Sequence, residues 1–262
     1  MKHLLTLSVV SHNHDAHIKN LLLDLAKLQR KDFRLVLTLN LPEELSLDIA
    51  ALPFDVTIIQ NQTPKGFGAN HNAAFKQCFS KYLVILNPDV RLLDDPFDHI
   101  LDYLNHSPKT ICAPMVVDQA GDLENSARFF PTPSFLFKKL ACKMFRLSLE
   151  PDHIPESNVA YFPDWVAGMF IVVSHDAFKM IGGFDESYHM YYEDVDFCMK
   201  GKSIGYEVVV LKNTKVIHEA QRDSHRKMKH FIWHIQSIIR FFSSQSYQQL
   251  KLSRLRDNLH TH

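Results

Sequence analysis

Residues 186–202, ESYHMYYEDVDFCMKGK, place Glu193, Asp194 and Asp196 within four positions. Tyrosines precede them and an apolar Phe-Cys-Met follows. Carboxylates in the first turn of a helix are stabilised by its dipole, typically by ~0.3–1 kcal/mol. That accounts for acids at a helix start but not for the aromatic residues in front of them. A carboxylate against aromatic walls is partly desolvated and becomes suited to act as a general base. A helix start and a catalytic base are therefore both readings of this stretch.

Three other sets of residues could carry chemistry. Asn87-Pro88-Asp89 closes an apolar run, YLVIL. All three residues favour turns, yet a single carboxylate at a strand end can also hold Mg²⁺ or Mn²⁺ together with phosphate oxygens. Gly66-Phe67-Gly68-Ala69-Asn70 resembles a phosphate-binding turn at a helix N-terminus. It fails the dinucleotide pattern, because His71 stands where the third glycine belongs and the run follows the third strand rather than the first. A tight turn feeding a helix fits it equally well. His218 ends the run TKVIH and is a metal-ligand type.

The elements that would position these residues follow from periodicity. LLTLSVV, FRLVLTLN, DVTIIQN and YLVIL read as strands of the buried kind. Ile18, Leu21, Leu22, Leu25 and Leu28 recur at helical spacing, with Asp15 as candidate cap. Residues 69–80 and a segment opened by Pro96 read as further helices. Strands alternating with helices over the first ~110 residues imply a parallel sheet covered by helices. Ligands bind such sheets at the carboxyl ends of the strands. Ser11-His12-Asn13, Asn40, Asn61 and Asn87-Pro88-Asp89 all stand at such ends. Farther on, residues 126–164 read as loops with short helices, and WVAGMFIVV as one strand. DAFKMI reads as a helix closed by Gly182-Gly183, and YEVVVL and TKVIH as two separate strands. The helix opened by Glu193–Asp196 ends near Gly205.

Bulk properties narrow the classes. The 262 residues suit one large α/β domain or two small ones. Lys plus Arg (29) equals Asp plus Glu (29), so no bulk field favours nucleic acid. The four cysteines form no C-x-x-C pair, which argues against a zinc site and for reduced thiols in a cytoplasmic protein. No cleavage-like site follows the N-terminal apolar run, so no signal peptide is expected. No apolar stretch approaches the roughly 20 residues needed to span a bilayer.

Taken in order, these motifs resemble bacterial glycosyltransferases of family 2, with the GT-A fold. The carriers are VVSHNH, NQTPKGFGANHN, VILNPDV, RFFPTP, WVAGMFIVVSHDAFKMIGGFDE, YYEDVDFC and VIHEAQRDSHR. The match spans roughly residues 4–242 and is most specific in GGFDE…YYEDVD. Within the family the chain is most similar to the rhamnosyltransferase-like branch that builds cell-surface polysaccharides. The resemblance implies an inverting, metal-dependent transferase using a nucleotide sugar, such as dTDP-rhamnose or a UDP-hexose, and a glycan or lipid-linked glycan acceptor. Its sheet would be mostly parallel, with helices on both faces and a C-terminal helical segment. Residues 1–221 would form the GT-A domain, with a nucleotide-binding half over 1–115 and an acceptor half over 116–221. Residues 222–262 would form a tail.

The resemblance also implies roles. Ser11, His12 and Asn13 would line the base and ribose, with Asn40 on the same rim. Asn61, Gly66, Phe67, Gly68 and Asn70 would shape the nucleotide-sugar pocket. Asn87 and Asp89 would stand in for the D-x-D metal motif, and His218 would complete the metal site. Trp165, Gly168, Gly183, Phe184 and Asp185 would build the acceptor side. Asp194 would be the base, with Glu193 in reserve, and Asp196 would be structural. The chain departs from the family at Asn87, which leaves one metal carboxylate, and at Leu39-Asn40, where many relatives carry an acid.

Rival classes are weaker. A sugar nucleotidyltransferase needs a glycine-rich basic loop after the first strand, and SHNHDAHIKN has none. A processive synthase needs Q-x-x-R-W and membrane spans. A catalytically degenerate protein that only binds a nucleotide sugar or glycan is the alternative that the missing acids support. In the tail, basic residues from Arg222 to Arg256 interleave with Phe231, Trp233, Ile235, Ile239 and Phe242. That pattern fits peripheral contact with the inner membrane surface, or packing on the catalytic domain or a homodimer partner.

Overall fold

The computed structural model describes residues 3–144, 159–219 and 227–251. The apolar run at the N-terminus forms β1 (Leu5–Ser11), followed by α1 (Asp15–Lys27), β2 (Phe33–Leu39), β3 (Asp55–Gln60), α2 (Phe67–Phe75) and β4 (Tyr82–Leu86). The four strands are parallel in the order β3-β2-β1-β4. Such strands are buried on both faces, which is why they are continuous apolar runs rather than alternating ones. Leu5, Leu7 and Val9 of β1 face Ile18, Leu21 and Leu25 of α1. On the other face Thr6 Oγ1 donates to Ser80 Oγ at 2.9 Å, and Ser8 Oγ lies 2.7 Å from His71 Nδ1 on α2. Burial pushes His71 down to about 3, so it is neutral.

The remaining elements are β5 (Val90–Arg91), α3 (Phe97–His106), β6 (Thr110–Val117), β7 (Ala127–Arg128), α4 (Pro133–Met144), β8 (Ala160–Tyr161), β9 (Trp165–Val166), β10 (Phe170–Ser174), α5 (His175–Ile181), α6 (Glu193–Ser203), β11 (Glu207–His218) and α7 (Lys227–Ser243). The sheet continues β4-β10-β6-β11-β5, with β8 on β11. Strands β6 and β11 run with β1–β4, whereas β10, β5 and β8 oppose them. The expected α/β sheet, mostly parallel and covered on both faces, is therefore present. Residues of α1 and α3 fill one face, and those of α5 and α6 the other.

Four local expectations are corrected. WVAGMFIVV splits into β9 and β10 because its middle leaves the ladder: Ala167 N–H donates to Ser126 O at 2.7 Å and Gly168 N–H to Asp194 Oδ2 at 3.1 Å. YEVVVL and TKVIH are one strand, β11, which pairs with β6 on both sides of a bulge between Leu211 and Lys215. The second helix spans 67–75 rather than 69–80, since Gly66 O accepts from Asn70 N–H and closes the first turn there. Asp15 does not cap α1; its Oδ1 accepts from Ser46 N–H at 2.8 Å. Strand β6 was not anticipated. Within the tail, α7 is seated on the α/β domain by the fully buried Phe241. The 221/222 boundary, Arg222, Arg226, Arg254 and Arg256 lie outside the described residues.

Candidate active site

The ends of β1, β2 and β3 carry a chain of amides. Asn61 Nδ2 donates to Asn40 Oδ1 at 2.8 Å and to Asn70 Oδ1 at 2.7 Å. Asn40 Oδ1 also accepts from Lys65 N–H, while its Nδ2 donates to Lys65 O and lies 3.2 Å from His12 Nδ1. Each buried amide is thus satisfied and fixed in orientation. Beside it Ser11 Oγ donates to Glu43 Oε2 at 2.8 Å, and Asn13 N–H to Glu43 Oε1 at 3.3 Å. Leu39-Asn40 lacks an acid, but Glu43 supplies one at the same strand end. Its distance from the motif hid it in the sequence.

Asp89 follows β4, and His218 ends β11. The two come together because His218 pairs with Val90 in register and Glu219 N–H donates to Asp89 O. Asp89 Oδ2 lies 3.3 Å from His218 Nε2, and Glu124 Oε2 lies 2.8 Å from His218 Nδ1. Burial works against the imidazolium, but the two carboxylates together hold His218 above its ordinary value. Arg91 braces the turn from behind, with Nε and Nη2 on the two oxygens of the buried Asp24 at 2.6 and 3.1 Å. Burial raises Asp24, but Arg91 outweighs it and keeps the carboxylate ionised, below its usual range. The chemistry of this donor set suits a divalent cation. Asp89 Oδ1 is buried with no hydrogen-bond partner, and a histidine whose second nitrogen is held by a carboxylate is oriented for ligation. No group of three His, Cys, Asp or Glu arranged to hold a metal occurs among the described residues. A cation here would need phosphate oxygens and water to complete its shell, as Mg²⁺ and Mn²⁺ commonly do.

The glycines have a packing explanation. A Cβ on Gly66 would lie 2.5 Å from His189 O, one on Gly68 2.6 Å from Phe184 Cβ, and one on Gly168 2.6 Å from Phe67 Cζ. These glycines let the two halves of the chain approach at backbone distance. Gly183, at φ +68°, turns the chain so that Phe184 N–H donates to Asn72 Oδ1 and Phe184 O accepts from Asn72 Nδ2. Phe184 is 3 % exposed and packs on Phe67, Phe178 and Phe197. It is a core residue, so any part it has on the acceptor side is through packing. Asp185 Oδ1 accepts from Ser187, and Trp165 Nε1 donates to Phe129 O.

Tyr191 and Tyr192 precede α6 with φ of +72° and +68°. Left-handed backbone at non-glycine residues costs about 1–3 kcal/mol each and clusters at functional sites. Glu193 is buried, and its Oε2 has no partner. Burial and the adjacent Asp194 charge push its pKa up to about 8. Asp194 is half-buried; burial raises it, while N–H groups of Gly168 and Val195 on its two oxygens and the nearby Arg128 favour its charge. Asp196 turns inward to Lys200 Nζ at 2.7 Å, as a structural acid should. The two adjacent acids thus differ: Glu193 keeps one oxygen without a partner, Asp194 has a backbone N–H on each oxygen, and burial leaves both above their ordinary values.

A cleft of about 850 Å³ joins these pieces. Of the expected residues it is lined by His12, Asn40, Phe67, Asn70, Asn87, Asp89 and His218. Ser11, Asn13, Asn61, Gly66 and Gly68 are not part of that lining. Trp165, Gly168, Gly183, Phe184, Asp185, Glu193 and Asp194 are also off it, although Tyr191 carries its wall directly into the start of α6. Lys65, His14, His17, His189, Met190 and, from α7, Met228, His230 and Trp233 complete it. Isolated histidines in a chain with sixteen gave no signal for this in the sequence.

Residues 6–156 match the family model described as glycosyl transferase family 2. The chain is 27% identical to rhamnosyltransferase WbbL of Escherichia coli (strain K12), over 90% of this chain and 91% of that protein. It is 26% identical to the N-acetylglucosaminyl-diphospho-decaprenol L-rhamnosyltransferase of Mycobacterium tuberculosis (strain CDC 1551 / Oshkosh), over 63% of this chain and 56% of that one. Among solved structures it is similar to GalNAc-T7 with UDP, GalNAc and Mn²⁺, with a TM-score of 0.65 at 12% identity, covering 84% of this chain. This chain spans 43% of that chain's length, so the likeness is one of fold.

Proposed function

The chain belongs to glycosyl transferase family 2, and on that premise we propose that it moves a sugar, with inversion, from a nucleotide-sugar donor to a lipid-linked glycan acceptor. The donor is dTDP-rhamnose or a UDP-hexose, and the product feeds cell-surface polysaccharide. The observation that carries this reading is the convergence of Asp89, His218 and the amide-lined strand ends on one cleft whose wall runs into Glu193–Asp194. The two rhamnosyltransferase relatives support the donor and acceptor classes.

Each group has a place in the reaction. The amides and Lys65 orient the nucleotide. Asp89 and His218 would hold Mg²⁺ or Mn²⁺, which neutralises charge on the departing diphosphate. Asp194 takes the acceptor hydroxyl proton as that oxygen attacks the anomeric carbon. The bond from that carbon to the diphosphate oxygen breaks, and the nucleoside diphosphate leaves. The contrast between the two acids favours Asp194 as base: an uncharged Glu193 beside it lets Asp194 carry the single negative charge.

We further propose work at the inner face of the cytoplasmic membrane. Among the described residues no helix is long and apolar enough to cross one. Met228, Phe231, Ile232, Ile235 and Ile239 nonetheless form an exposed apolar stripe on α7. Absence of binding to anionic vesicles at low salt would remove this part.

A thermal-shift screen against UDP, dTDP and GDP sugars with and without Mn²⁺ tests the whole reading. A ligand at 100 times its Kd should stabilise by about 2.7 kcal/mol. Full transfer activity in excess chelator would overturn the metal assignment.

A further inference from the structure

We infer that the acceptor's saccharide binds on the aromatic wall formed by Trp233, His189 and His230, rather than at the Trp165–Asp185 turns. The inference rests on the transferase reading and names a subsite within it.

The cleft has two unlike sides. Its floor is the polar, amide-rich rim of strand ends, which suits the charged, hydrogen-bonding donor. Its wall is aromatic. The His189 ring lies 4.5 Å from that of Trp233, and His230 packs on the same indole at 5.2 Å. Tyr191 Oη lies 2.7 Å from His230 Nδ1, so the wall is fixed by a hydrogen bond. Ser237 Oγ donates to Met190 O at 2.9 Å and holds α7 against the segment that carries His189. A pyranose presents apolar C–H faces and hydroxyl edges, which suit a pocket of aromatic rings with a few placed polar groups.

The turns expected to take the acceptor are otherwise engaged. Phe184 is core, Gly168 and Gly183 serve close packing, and the Trp165 indole N–H is held by Phe129 with Arg128 over the ring at 5.6 Å. None of them lines the cleft. The aromatic wall does, and its own chain continues through Tyr191 and Tyr192 into Glu193–Asp194. His189, whose ring lies against Trp233, stands four residues before Glu193 on that segment.

The test compares wild type, Trp233→Ala and Trp233→Phe as the full chain. Binding to an array of immobilised glycans is read beside the affinity for dTDP-rhamnose and UDP-hexoses, with melting temperature as the folding control. Trp233→Ala should weaken glycan binding, and raise acceptor KM in transfer, by about tenfold. Trp233→Phe should restore most of the loss, and donor affinity should be unchanged in both. Glycan binding by a folded Trp233→Ala equal to wild type, or by no form at all, overturns the inference. So does a loss confined to donor affinity, which would make the indole a nucleobase platform. Glycan binding that depends on Trp233, without sugar transfer, would instead defeat the transferase reading and leave this subsite standing.

Discussion

Asn61, at the end of β3, donates to two neighbouring amides at 2.8 and 2.7 Å, and every partner in that chain is itself bonded. Glu193, at the start of α6, is buried as deeply, yet one of its oxygens has no partner. Neither residue lines the cleft itself, and the two sites are built differently. The rim is a satisfied network laid over parallel strands, with orientation fixed before a ligand arrives. The helix start follows two left-handed tyrosines and keeps a desolvated acid beside a backbone-solvated one. Pre-organised dipoles serve recognition; strain and shifted acidities collect where a proton moves.

The sharpest way to break this contrast is Asp194→Asn. Single-turnover transfer should fall about 10²–10⁴-fold, the usual worth of a positioned base, with donor affinity retained. Near wild-type transfer would move the role to Glu193, which Glu193→Gln then reports. Next in size is Glu124→Gln, which leaves the Asp89–His218 pair but removes the carboxylate behind the imidazole. Metal affinity, followed by titrating activity with Mn²⁺, should drop about 10–100-fold. Asn61→Ala tests the rim: it removes a donor from Asn40 Oδ1, which keeps Lys65 N–H, and from Asn70 Oδ1, and should cost about 1–3 kcal/mol in denaturant unfolding. If stability is unchanged, the network is not pre-organised by Asn61.

The smallest expected effect concerns pH. The folded-state pKa of Glu193 lies above its ordinary value of 4.5, at about 8. The folded chain therefore holds a proton that the unfolded chain releases, and this group's contribution is lost as pH rises from about 4.5 toward 8. Glu193→Gln removes that loss. Its Tm should exceed wild type at pH 8 and converge with it near pH 4. An equal difference at both pH values would mean that Glu193 is not titrating.

Much of the first half was legible because its physics is local. Buried parallel strands are apolar runs, and the polar residues that end them share a rim wherever the strands are parallel. Asp89 and His218, 129 positions apart in the chain, lie 3.3 Å apart in space because β11 pairs with β5. Glu124 and Glu43 were not legible, since their partners are set by β6–β11 pairing and by a loop rather than by spacing. The glycines of GFG carry a packing role that the motif did not show: they permit close approach to His189 O and Phe184 Cβ, far along the chain. The split of WVAGMFIVV could not be read from apolarity, because it depends on the partners of two backbone N–H groups. The place of α7 in the cleft was equally hidden, as an amphipathic pattern says that one face is buried but not against what.

The bulge in β11 has a consequence for how chains of this kind can change length. Side chains alternate across a sheet, so a shift of one residue turns every later position over. Val209 and Leu211 before the bulge and Val216 after it lie on the same face of the sheet, so the extra residues restore the phase in which His218 meets Asp89. An insertion or deletion within 212–214 would leave the strand's first half intact and point the imidazole away from the carboxylate. Insertions are ordinarily tolerated where the chain is exposed and irregular. Here the irregular stretch sets the phase of the Asp89–His218 pair, and its length should drift far less than that of loops around it.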